Sequence, residues 1–142
     1  MVVGGFSYLI WDEYFSPDDE LAGLQKRYVQ AMTADTYGGK TPQETLDLFI
    51  DALKKEDVDL AAKYFMLDDQ LSREKWVKAL SELKSKGLLD DMAKDIERAK
   101  PDADKIDEND FKFIIYNNEG NVGGWVDMQF NKYSKVWKIE NL

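Results

Sequence analysis

Apolar residues recur along this chain with two different spacings. Between Leu21 and Ile96 they return every three or four positions, and between Phe111 and Ile139 every second one. The first spacing is one face of an α-helix, the second one face of a β-strand. The chain therefore reads as helices first and an antiparallel sheet last.

Leu21, Leu24, Tyr28 and Met32 form the first stripe and predict a helix over 17–33. Ser16-Pro17-Asp18-Asp19 starts it, with a hydroxyl cap, proline at the first helical position and acids at the positive end of the helix dipole. Thr33 to Lys40, which contains Gly38-Gly39, reads as a short flexible linker. Thr41-Pro42-Gln43-Glu44 is a capping box: the threonine accepts from the third helical amide and the glutamate reaches back. Leu46, Phe49, Ile50 and Leu53 follow on one face, with Asp47, Asp51, Lys54 and Lys55 on the other. Asp57 caps a shorter helix carrying Leu60, Ala61, Tyr64 and Phe65. Ser72 caps another, with Trp76, Val77, Leu80 and Leu83 as its stripe and Gly87 as a left-handed end. Leu88 to Ala99 supplies the last, burying Leu88, Leu89, Met92 and Ile96 and stopping before Pro101. All of these stripes are read as core.

Beyond an acidic loop at 102–110 the spacing changes. Phe111 to Tyr116 is a strand, Asn117 to Asn121 a turn, Val122 to Phe130 a second strand, Asn131 to Ser134 a second turn, and Val136 to Leu142 a third strand. Links this short force antiparallel neighbours. Phe111, Phe113 and Ile115 mark the buried face of the first strand, Trp137 and Ile139 that of the third. The fold class is α+β, with N-terminal helices packed on one face of a curved C-terminal antiparallel sheet of about three strands. Residues 1–40 form an apolar lead, a helix and a linker; residues 41–142 form the main domain.

Composition narrows the chemistry. At 142 residues and 44% apolar, the chain can bury roughly 70% of its unfolded surface, which excludes wholesale disorder. The net charge of −9 is spread evenly, since 1–40, 41–100 and 101–142 each carry three more acids than bases. With no basic stripe, nucleic acid is excluded as a partner. Absence of cysteine removes disulfides, a thiolate nucleophile and cysteine-ligated zinc. Absence of histidine removes an imidazole base and the Ser-His-Asp arrangement. Any catalysis would fall to carboxylates, tyrosines or lysines. Residues 2–11 are apolar and uncharged but too few to span a bilayer, which takes about 20. Two readings stand for them: the outer end of a membrane anchor that begins upstream, with Trp11 and Tyr14 at headgroup level, or a segment that docks on the domain or on a second copy.

The run Thr41-Pro42-Gln43-Glu44-Thr45-Leu46-Asp47-Leu48-Phe49, then Ala52-Leu53-Lys54-Lys55-Glu56-Asp57, Ala61-Ala62-Lys63-Tyr64-Phe65 and the closing Val136-Trp137-Lys138-Ile139, resembles the nuclear-transport-factor-2-like superfamily. The likeness covers about 41–65 and 108–142. It implies a cystatin-like cone, often found in membrane-anchored or lipoprotein domains of unknown function, and isomerases and dehydratases of that superfamily use pocket carboxylates and tyrosines. The chain departs from it in strand number, because 72–99 reads as helix.

Gly123-Gly124, inside a strand, marks a bulge or bend that could open a concave pocket. Trp125, Gly123, Gly124 and Tyr64 are the candidate ligand-binding residues. Trp125, Asp127 and Gln129 share a phase, with Lys112 and Tyr116 on the neighbouring strand. In a closed cavity, Asp127 could serve as a base beside Tyr116, the two candidate catalytic residues. The plainer reading, which is favoured, has Asp127 facing water and paired with Lys112 or Lys138, worth under about 1 kcal/mol. The loop Asp102, Asp104, Asp107, Glu108 and Asp110 fails the calcium-loop spacing, so no metal and no cofactor is expected. The expected function is a non-catalytic binding or interaction domain of the cell envelope, held at a membrane by sequence at or before residue 1, for a protein partner or small apolar ligand, with the cytoplasm as the alternative location. An isomerase or dehydratase using Asp127 and Tyr116 is one alternative. A self-associating structural domain, with 1–34 packed across a homodimer, is the other.

Overall fold

The computed structural model describes residues 17–105 and 107–142; the apolar lead at 2–11 and the Ser16 cap lie outside them. Helices α1 (Pro17–Ala34), α2 (Pro42–Lys54), α3 (Val58–Lys63), α4 (Glu74–Ser85) and α5 (Leu89–Glu97) precede strands β1 (Ala99–Pro101), β2 (Asp110–Tyr116), β3 (Val122–Asn131) and β4 (Val136–Asn141). The strands form one antiparallel sheet in the order β1-β2-β3-β4. The class is α+β, with one strand more than the sequence predicts. That strand is three residues at an edge, pairing Ala99 with Ile115 and Pro101 with Phe113. An edge position tolerates Pro101, which has no amide to offer a ladder.

Local signals act where the sequence places them, with small shifts. The Thr41 hydroxyl accepts the Glu44 amide at 3.1 Å, but the Glu44 carboxylate reaches the Lys40 amide, at 2.8 Å, so the box closes one residue early. The Asp57 carboxylate caps α3 through the Leu60 amide. Ser72 accepts the Glu74 amide from two positions before α4, whose cap position is Arg73 rather than the predicted Ser72. Gly87 takes a left-handed φ of 69° and ends α4. Leu88, expected inside, is 39% exposed, because it is the residue before α5 and has left the helical phase that buries Leu89 and Ile96.

Helices α2 to α5 pack on one face of the sheet. Phe65 lies edge-on to Phe49 at 5.3 Å and stacks on Trp76 at 4.1 Å, in a core with Leu46, Leu53, Leu80, Leu89, Phe113, Val126, Met128 and Ile139. The free edge of β4 is covered rather than open. Trp137 donates to the Gly39 carbonyl, Ile139 to the Tyr64 carbonyl, and Met66 to the Ile139 carbonyl. An exposed row of strand amides would template association with other chains, and these bonds remove it.

Two expectations change here. The segment read as a flexible linker is pinned along β4, with Asp35 buried. The helices do not all share one face: the end of α1 crosses the opposite side of the sheet, where Asn131 donates from its amide to the Met32 carbonyl at 2.9 Å and Tyr28 meets Tyr133 edge to face at 5.9 Å. Register shifts at Ile115/Tyr116 and Asp127/Met128 bend β3 as it passes between its neighbours.

Candidate functional site

The bulge predicted at Gly123-Gly124 is present, since Ile115 pairs with Gly124 and Tyr116 with Val122, leaving Gly123 as the extra residue. It does not enclose a pocket at Trp125, whose side chain stands on the open sheet face at 49% exposure. Lys112 reaches across that face. Its ammonium lies 3.5 Å from the Asp127 carboxylate and 5.2 Å from the centre of the Trp125 ring. The register sets Asp127 opposite Lys112, and Tyr116 is four residues further along β2. At about 3.3 Å per residue that separation is about 13 Å along the strand, and no hydrogen bond joins the two candidate catalytic groups among the described residues. The pairing with Lys112 is the plain arrangement the sequence favours; Lys138, the other partner considered, points elsewhere. Asp127→Asn should accordingly change the unfolding free energy by less than about 1 kcal/mol in a urea titration.

Tyr64 belongs to the core rather than to a ligand surface. It is 6% exposed and edge-on to Tyr37 at 6.5 Å. Burial raises its phenol above the ordinary range, with Asp51 adding to the effect. In the acidic loop the carboxylates serve the backbone: Asp102 accepts the Asp104 amide, and Asp107 accepts the amides of Asn109 and Asp110. Glu140 shares a groove of about 380 Å³ with Asp104, Asp107, Asp110, Lys112 and Asp127, and its carboxyl is raised by burial first and then by Asp110 and Asp127. No group of three or more carboxylates among the described residues is disposed to hold a metal ion.

A buried ionic knot is the feature that sequence reasoning missed. Lys138 lies on β4 between Trp137 and Ile139 and is fully buried. Its ammonium donates to the Asp35 carboxylate at 2.9 Å, the Tyr37 carbonyl at 2.6 Å and the Lys63 carbonyl at 2.5 Å, which uses all three of its hydrogens. Arg73 holds the other oxygen of Asp35 at 2.5 Å and donates from its Nε to the Phe65 carbonyl at 2.7 Å. Burial pushes Lys138 down to about 8, opposed by Asp35 and reinforced by Arg73. Full satisfaction of the ammonium, together with its lack of solvent contact, makes it a tie between chain segments and leaves no approach for a substrate carbonyl. The knot joins the segment after α1 to β4, the end of α3 and the entry to α4. A lone lysine in an alternating strand and a lone aspartate in a loop give no sequence signal of this, because the four segments meet only in the fold.

The knot fixes where α1 emerges. Met32 at its last turn is 3% exposed, whereas Leu21, Leu24 and Tyr28 on the same stripe are 62%, 54% and 43% exposed. This corrects the reading of that stripe as core: its last member alone is buried. Beside it, Asp68 accepts the amides of Gln70 and Ser72, and the turn holds Leu71 at a positive φ of 57°. Leu71, Asp69 and Gln70 thereby form the far wall of a groove of about 780 Å³, whose near wall is Leu21, Leu24, Arg27 and Tyr28. Under the middle of α1 a crevice of about 460 Å³ runs from Tyr28 to Trp76, Lys75, Gln129 and Glu140. No helix among the described residues is long and apolar enough to cross a membrane. The chain matches no family model, no curated protein and no solved structure.

Proposed function

We propose that this chain is a non-catalytic protein-interaction domain and that α1 is the element its partner meets. One contrast carries the reading: Leu21 and Leu24 stand more than half exposed on a helix whose last turn is locked in place by Met32 and the ionic knot below it. Contiguous large apolar side chains displayed in this way mark interaction sites. Fully burying each leucine is worth about 1.5–3 kcal/mol, enough for two or three such residues to anchor a docked polypeptide. The pairing of Asp127 with Lys112, four residues along β2 from Tyr116, favours this reading over a carboxylate–tyrosine enzyme.

A photo-crosslinking residue placed at Leu24, in cells that make the full chain, tests the reading. One cross-linked polypeptide species is expected from position 24 and none from a control at Lys86 on the exposed end of α4. Adding Leu21→Ser should abolish it. Equal, unselective labelling from both positions would refute an α1 interface.

A further inference from the structure

We propose that the occupant of the exposed α1 stripe is α1 of a second copy of this chain, running antiparallel about a two-fold axis. The proposal rests on the interaction reading above and names its partner. Leu21, Leu24 and Tyr28 are spaced three and four residues apart, the a and d spacing of a two-helix seam with the leucine pair at its centre. That seam is narrow, which suits one facing helix better than a broad sheet or a membrane surface.

Charges beside the seam choose the direction. Glu20 and Arg27 each stand one residue before an a-type position, seven residues apart, so they share one flank of the stripe. In an antiparallel pair this flank meets its own copy. With Leu21 set against Leu24 of the other copy, Glu20 faces Arg27 of that copy, and two-fold symmetry makes the contact twice. A parallel pair would instead set Glu20 against Gln25 and Arg27 against Met32, which is already buried in its own domain. Neither Glu20 nor Arg27 forms an ion pair with another described residue. Antiparallel pairing also opposes the two helix dipoles favourably and carries the two anchored ends, at Met32, to opposite ends of the pair.

Sedimentation equilibrium of the full chain tests the arrangement. The expected mass rises with concentration toward twice the 16.4 kDa of one chain. Leu24→Ser should return it to one chain while leaving the thermal unfolding of the domain in place, because Leu24 lies outside the core formed by the described residues. Glu20→Lys alone, and Arg27→Glu alone, should each weaken association about tenfold, since two attractive contacts become repulsive. The double variant, with both charges reversed, should restore it. A single-chain mass at every concentration would overturn the proposal, as would an association that survives Leu24→Ser or a double variant no better than the singles. A cross-link from Leu24 to a polypeptide of different mass, or flotation of the single chain with lipid vesicles, would also overturn it. The first of these leaves the interaction reading standing and the second removes both.

Discussion

Replacing Asp35 with asparagine is expected to lower the unfolding free energy by about 3–5 kcal/mol, a large share of the stability of a domain this size. The carboxylate is the only anion facing two buried or half-buried cations among the described residues of the knot, Lys138 at 2.9 Å and Arg73 at 2.5 Å. Asparagine keeps the shape and removes the charge, so the Lys138 ammonium is left inside with carbonyl partners and a neighbouring guanidinium. Lys138→Met should cost less than Asp35→Asn, because Arg73 still neutralises Asp35 after the lysine is gone. A double variant, Asp35→Asn with Lys138→Met, should recover part of the loss, and the size of the recovery in denaturant titrations measures the coupling. The pH dependence supplies a second readout. Lys138 titrates at about 8 in the folded chain, against 10.5 for an ordinary lysine, so the unfolded chain binds the proton more tightly. Between those values stability contributed by this group rises with pH, as the cost of burying the ammonium disappears. Without its counter-charge Lys138 should lose its proton at lower pH still. The deficit of Asp35→Asn is therefore largest below the lowered Lys138 value of the variant, narrows as pH rises from there toward about 8, and is flat above it. A deficit independent of pH would mean that Lys138 is not the group left unpaired.

The parts of the fold that could be read in the chain are those written in a few consecutive residues. Thr41 and Glu44 announce α2, Asp57 announces α3, Gly87 ends α4, and Asn117 accepts the amides of Glu119 and Asn121 in the turn its composition predicts. Alternation placed Phe113, Trp137 and Ile139 inside. What failed has a common cause. Periodicity says which face of an element is apolar and is silent on whether that face finds a cover. The stripe of α1 has the same spacing as that of α2, yet Leu46, Phe49 and Leu53 are buried while Leu21 and Leu24 are not. The same limit hid the knot, because Lys138 is inside only through contacts 75, 101 and 103 positions away in the chain. β1 was invisible for another reason: three residues ending in proline are too few to show an alternation.

Gly38 carries the second large effect, and it reverses the reading of Gly38-Gly39 as part of a flexible linker. Its φ is 150°, in the region open to glycine, and a Cβ built there would come within 3.0 Å of the Trp137 carbonyl oxygen, with Val136 packed behind it. The obstacle is strand backbone, so no side-chain rotation relieves it. Gly38→Ala should destabilise the domain by about 3 kcal/mol, combining backbone strain with overpacking. Gly120→Ala is the matched comparison: its φ of 83° is also left-handed, but a Cβ there meets open space. It should cost only the conformational part, about 1–2 kcal/mol. Hydrogen exchange locates the difference. Trp137 donates its amide to the Gly39 carbonyl at 3.0 Å, so Gly38→Ala should speed exchange at Trp137 and leave the amides of β2 protected. The same movement would carry Tyr37 away from Lys138, whose ammonium its carbonyl accepts, and so loosen the tie that holds the base of α1. If Gly38→Ala proves as mild as Gly120→Ala, β4 is not held by close approach of this segment, and the rigid base assigned to α1 goes with it.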